Sequence, residues 1–244
     1  MFQTIFFDPL FNGLVALYNT VAFHDLGLAI IFLTLIIRII FLPLFYKSAK
    51  NQILIQRLQP EIQKIQHDHK DNKEKQAQAM MELYKKHQVN PFSGFLMLLV
   101  QLPVLIAIYQ VFLQEFSPAV MDRLYSFVTS PTEFNALFLG LLDLEKRSIL
   151  MVGLAAIMQY LQGKLSLPAA EKGREPSPAE KIGRQMVFIG PVLTIVILSN
   201  LPAAVGLYWL ITSVFSVVQQ IYINKTLNIS QEKKEHGLTQ TKTE

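Results

Sequence analysis

Long apolar blocks divide this chain. A helix crosses a bilayer core in about 20 mostly apolar residues, and five blocks come near that length. They are residues 24–45, 95–115, 148–166, 185–199 and 201–223. The third is interrupted by Gln159 and Gln162, and the fourth is short and holds Pro191. The fifth opens at Pro202, so only "SNLP" separates it from the fourth, and the two are predicted to form a tight helical hairpin. The pattern predicts an all-α membrane protein with five transmembrane helices.

The polar stretches carry their own periodicity. In residues 1–23, Leu10, Leu14, Leu17, Tyr18 and Val21 fall at helical spacing. They predict an amphipathic helix lying in the interface, with its apolar side in the acyl boundary. Residues 1–23 contain no Lys or Arg, which removes the basic start of a cleavable signal peptide. In residues 46–94, Leu54, Leu58, Ile62 and Ile65 form one apolar stripe, and Pro60 kinks or restarts that helix. Asp71 followed by Glu74 resembles a capping box for a second helix, whose apolar side is Ala77, Met80, Met81 and Tyr84. The two predict an antiparallel helical hairpin: a solvated hairpin that only sets topology, or a docking surface for a chain, a partner or anionic headgroups. Residues 116–147 form a loop on the other side. Residues 167–184, around "LPAAEKGREPSPAEK", read as a flexible loop, and residues 224–244 as a polar tail.

Charge fixes the orientation. Of 22 Lys and Arg, nine lie in residues 46–94, five in 164–184 and four after residue 223, against three in 116–147 and none before residue 26. Positive loops stay in the cytoplasm. The N-terminus is therefore predicted outside, and the hairpin, the 167–184 loop and the C-terminal tail inside, in a multi-pass protein of the cytoplasmic membrane. Composition agrees, with 51% apolar residues and only 16% charged, below the roughly 25% of a soluble domain. There is no cysteine, which excludes disulfides, thiolate chemistry and lipid attachment at Cys. None of the five histidines sits in an H-E-x-x-H arrangement, and no nucleotide-binding or hydrolase motif occurs. The expectation is a protein that is not an enzyme and carries no cofactor or metal.

One residue breaks the apolar pattern. Arg38 stands inside "TLIIRIIFLPLF", in a window with no other charge. A central arginine costs about 2.5 to 3.5 kcal/mol on insertion scales, and it keeps its proton. It can pair with an acid, snorkel to the interface, or face a wet cavity. No Asp or Glu stands in the interior of any predicted span. Snorkelling would have to cover about 10 Å to the end of the block near Phe45. The cavity is favoured by other polar residues at membrane depth. Thr34 is one turn before Arg38 on the same face. Gln101, Gln159, Gln162, Thr212, Ser213, Ser216, Gln219 and Gln220 lie in other spans. Gln101 and Gln159 can equally serve as interhelical hydrogen bonds. Together the set predicts a positively charged hydrophilic groove open to the cytoplasm and to lipid. Such a groove would admit the polar segment of another chain halfway into the bilayer.

Four strings in this order, "TLIIRIIFLPL", "LQPEIQKIQ", "MMELYKKHQVNPFSGFLMLLVQLPVLIAIYQVF" and "LPAAVGLYWLITSVFSVVQQ", resemble the YidC-type membrane protein insertases. The resemblance implies five transmembrane helices around a hydrophilic groove that is closed on the outer side, with a cytoplasmic helical hairpin after the first. It implies Arg38 as the groove arginine and Thr34 as its polar neighbour. Gln162 becomes the groove glutamine, and Gln101, Leu102, Pro103 and Trp209 become contacts to substrate. Implied partners are nascent membrane proteins, the ribosome, the Sec translocon and membrane lipids, with no nucleic-acid recognition beyond contact with the ribosome. The expectation is of a member that departs from many others, with no large folded domain ahead of the first span, no lipidated cysteine and a short, modestly basic tail. The residues themselves leave two other readings: a small transporter or channel with an intramembrane anion site at Arg38, and a scaffold in which Arg38 snorkels.

Overall fold

The computed structural model describes residues 2–113, 117–167 and 178–240, and most of the expected flexible loop, 168–177, lies outside them. A π-helical turn, Gln3–Phe7, runs into helix α1 (Asp8–Thr20). Phe7, Phe11, Leu14, Val15 and Tyr18 recur every three or four residues and are buried against the protein. Helix α1 packs on α2 (Leu26–Ile40) and α6 (Ser93–Leu113). The apolar side expected in lipid is thus turned inward and rotated. The aromatic stripe through Phe7 and Phe11 carries more burial area than the stripe ending at Val21, which is 49% exposed.

Asp25 caps α2 by accepting from Leu28 N at 3.0 Å. The helix stops at Phe41, and α3 (Leu42–Arg57) leaves at 69° to it. Pro43, in the first turn of α3, has no N–H to give, and its ring would collide with the Ile39 carbonyl of a continuous helix. The expected first span, residues 24–45, is therefore bent, and its last turn belongs to the helix leading into the hairpin. Pro60 restarts the chain as α4 (Gln59–Asp68), which pairs with α5 (Lys73–Lys86). The cap of α5 is Asn72, accepting from Lys75 N at 3.0 Å, one residue after the expected Asp71. The small core of this hairpin is Leu58, Ile62, Leu83 and Val89.

The rest of the chain is α7 (Pro118–Met121), the antiparallel pair β1 (Leu137–Phe138) and β2 (Leu142–Asp143), then α8 (Ile149–Ser166), α9 (Pro178–Leu198) and α10 (Ala203–Gln240). Helix α10 is the hub, touching α8, α2, α6 and α3, while α9 lies against α8. Helix α8 and residues Ala203–Thr226 of α10 are long and apolar enough to cross a membrane, and α2 with α3 makes a third span if the bent pair counts as one. Leu99–Val111 of α6 and Val187–Leu198 of α9 are shorter apolar stretches among the described residues.

One end of the bundle is capped. Asn12 Nδ2 donates to Arg123 O at 3.1 Å, and its Oδ1 accepts from Tyr125 N at 2.6 Å. Arg123 Nε donates to Asp8 Oδ1 at 2.7 Å. The Tyr18 hydroxyl donates to Glu133 O at 3.2 Å and accepts from Asn135 N at 2.8 Å. The carbonyls of Lys146 and Leu144 accept from Ala203 N (2.7 Å) and Ala204 N (3.0 Å), satisfying free donors at the start of α10. Phe138 lies flat on Gly27: a Cβ there would stand 2.2 Å from Phe138 Cδ2, so only glycine permits this approach.

Candidate functional site

At the cavity, Thr34 and Arg38 stand one turn apart on α2, 1% and 3% exposed. Thr34 Oγ1 donates back to Ile30 O at 2.6 Å, so its polar atom is already used within the helix. Facing the pair are Gln101 and Val104 from α6, Tyr208 and Thr212 from α10, and Phe45 from α3. They line a small, partly open recess of about 10 Å³, enough for a water molecule. The Arg38 guanidinium carbon sits 4.4 Å from the Phe45 ring centre and 5.8 Å from that of Phe215. Arg38 Nη1 is buried without a hydrogen-bond partner. Among the described residues no carboxylate pairs with Arg38.

Among the described residues the cation is thus unpaired, and it is largely covered, in a narrow, partly open recess. The bend at Phe41 is the physical reason. It brings Phe45 back over the guanidinium, where the ring face offers a cation–π contact in place of water. A fixed positive charge in such surroundings attracts an anion strongly: at 4 Å and an effective dielectric near 20, two unit charges interact by about 4 kcal/mol.

A polar line continues from the cavity along α10. Ser216, Gln219 and Gln220 are buried. Ser216 Oγ donates to Thr212 O at 2.9 Å, and Gln220 Nε2 donates to Asn224 Oδ1 at 3.1 Å. Asn224 Nδ2 reaches Leu165 O on α8 at 2.8 Å. This line leads away from the capped end.

Of the residues expected at the site, Thr34, Arg38 and Gln101 come together, and the other four do not line the cavity. Leu102 is 38% exposed on the outside of α6, and Pro103 beside it is half-buried. Adjacent helical residues point about 100° apart, so Gln101 cannot share its direction with Leu102. By the same rotation Tyr208 faces the cavity while Trp209 packs half-buried against the core. Gln162 is half-buried on α8, its carbonyl accepting from Ser166 Oγ at 2.9 Å. Gln159 takes the packing role, its Oε1 accepting from Thr194 Oγ1 of α9. Sequence reasoning missed Phe45, Tyr208 and Phe215. The signal for Tyr208 was its spacing of four from Thr212 on a polar face.

Comparison with known proteins now adds to the geometry. The family model described as 60Kd inner membrane protein matches residues 17–232. The membrane protein insertase YidC of Geobacter metallireducens is 32% identical over 227 residues, 92% of this chain and 38% of the relative. That of Rickettsia bellii is 33% identical over 226 residues, 89% of this chain and 38% of the relative. That of Pelagibacter ubique is 34% identical over 212 residues, 83% and 36%. The chain spans under two fifths of the length of these relatives.

Proposed function

Because this chain belongs to the family of the 60Kd inner membrane protein, we propose that it is an insertase of the bacterial cytoplasmic membrane, helping newly made proteins enter and fold in the bilayer. Its relatives carry the name membrane protein insertase. In this reading five helices, α2, α6, α8, α9 and α10, form the membrane body, and the capped end faces outward. The polar line of α10 and the α4–α5 hairpin face the cytoplasm, where the ribosome and the Sec translocon deliver nascent chains. Residues 1–23 then lie at the outer face.

The observation that carries the reading is the buried, unpaired Arg38 between four helices. Acidic or polar residues of an arriving segment displace Phe45 and exchange water for the guanidinium, while the apolar segment slides along α6 and α9 into lipid. Leu102, Pro103, Gln162 and Trp209 take part once the helices part, contacting the passing chain beside the cavity rather than within it. No nucleotide is consumed, because the passing chain's own apolar burial drives the step, at about 0.8 kcal/mol per CH₂. A transporter or channel finds less support, since the relatives are named insertases.

Reconstituted insertion tests the proposal. Arg38→Ala is expected to reduce insertion of a single-span substrate with an acidic outer tail far more than that of a purely apolar one. Arg38→Lys is expected to retain more activity than Arg38→Ala, since the charge rather than the planar fork is used. Equal yields of the acidic substrate with wild type and Arg38→Ala would remove Arg38 from the mechanism.

A further inference from the structure

The hairpin of the cap carries large apolar side chains on both faces. In an antiparallel pair, partners on one register position share a face. Phe138 and its partner Leu142 point inward, where Phe138 lies on Gly27. A solvent-facing side would ordinarily be polar. Here Leu137, Leu139 and Leu141 are exposed, Leu141 at 89%, and the polar group on their side is Asp143, the partner of Leu137, neutralised by Lys146 at 2.8 Å. The turn itself is unusual. Leu141 N donates to Phe138 O at 3.0 Å across Leu139 and Gly140, whose φ angles are +51° and +70°. That is the mirror-image turn that favours Asn-Gly, yet the chain places leucine in the left-handed position. Phe23, 84% exposed with φ +53°, repeats the choice in the α1–α2 connection. Both are bulky apolar residues held in a strained backbone conformation, with their side chains outside the protein.

Their level identifies what covers them. Leu139 N donates to Asp25 Oδ2 at 2.7 Å, so the turn sits beside the cap of α2. The carbonyls of Leu144 and Lys146 hold the start of α10. Three residues after Lys146, α8 begins with Ile149 and Leu150, 90% and 60% exposed, at the end of a stretch long and apolar enough to cross a membrane. The hairpin is thus tied to the start of α10 and runs within a few residues into α8, whose first two residues are as exposed as the hairpin's leucines. Lys146, whose ammonium pairs with Asp143 at 2.8 Å, and exposed Arg147 stand in the chain between the hairpin and α8, where a lipid phosphate can meet a cation.

We infer that the β1–β2 turn, with Phe23 and the first turn of α8, dips into the outer leaflet and anchors the cap to lipid. The inference rests on the reading that the capped end is the outer end of a membrane-spanning body. The chain has one tryptophan, Trp209, which makes a direct test simple. In liposomes, the parent protein's Trp209 fluorescence is quenched by lipids brominated on their acyl chains if the body spans the bilayer. That control stands or falls with the spanning reading alone. In a Trp209→Phe background, Leu141→Trp and Phe23→Trp are then expected to give blue-shifted emission. Quenching by the brominated lipids should be severalfold stronger than for Thr132→Trp, placed on the exposed polar part of the cap. Two positions guard against one that disturbs the turn. Red-shifted emission and ready quenching by aqueous iodide at both positions, with Trp209 still quenched by lipid, would overturn the inference. The apolar turn would then await a protein partner.

Discussion

Arg38 is the residue on which the site turns, and its setting makes it a poor contributor to stability. It is buried with Nη1 unpaired, and its compensation is the Phe45 ring at 4.4 Å. A desolvated cation–π contact is worth about 2 kcal/mol, less than the penalty of several kcal/mol for removing a charge from water. Arg38→Met keeps the length and packing of the side chain while removing the charge. It is expected to unfold at the same or a higher temperature than wild type in detergent, while lowering insertion of acidic substrates. A thermal melt beside an insertion assay reads both. A marked fall in melting temperature would make Arg38 a structural residue. The charge was legible in the sequence, since one arginine among isoleucines needs no fold to be noticed. Its cover was not: Phe45 lies seven residues on, and the bend between them decides where its ring goes.

Helices were legible here because apolar blocks and proline positions act locally, whereas the cap was not, because its bonds join distant parts of the chain. Residues 116–147 read as a loop: the partners that order them, such as Tyr18 with Glu133 and Asn12 with Tyr125, stand 115 and 113 positions apart. The break at Phe41 had its signal in Pro43, but the apolar run through residue 45 masked it. The face of α1 was misjudged for a related reason, since two overlapping stripes fit one helical period and only packing selects between them. Gly27 is a point of close approach between α2 and the cap. Gly27→Ala puts a methyl 2.2 Å from Phe138, and overpacking of this kind costs about 1 to 3 kcal/mol. The expected result is a lower melting temperature. Phe138→Ala in the same chain should restore part of that loss, because the two changes share one contact. Simple additivity in the double variant would show that Phe138 does not hold the hairpin there.

Across the whole molecule the two ends of α2 are held in opposite ways. At Leu26 the cap closes the bundle with hydrogen bonds donated by Asn12 and Tyr18 and accepted by the carbonyls of Leu144 and Lys146. At the other end the cavity is covered mainly by aromatic rings on α3 and α10. About 18 Å of helix separates Leu26 from Arg38, at 1.5 Å per residue. A cover of non-directional contacts, hinged at a break in the backbone, opens at lower cost than a hydrogen-bonded one, whose buried donors would be left unpaired. Access to Arg38 is therefore expected past α3, from the hairpin side, and not through the cap. The cysteine-free chain allows this to be measured. Thr212→Cys places a thiol on the cavity wall, where it should react slowly with a small maleimide. Adding Phe45→Ala should speed that reaction severalfold, whereas adding Asn12→Ala, which weakens only the cap, should leave the rate unchanged. If the cap variant accelerates labelling and the Phe45 variant does not, the molecule opens at the end assigned here as closed, and the route of the passing chain reverses with it.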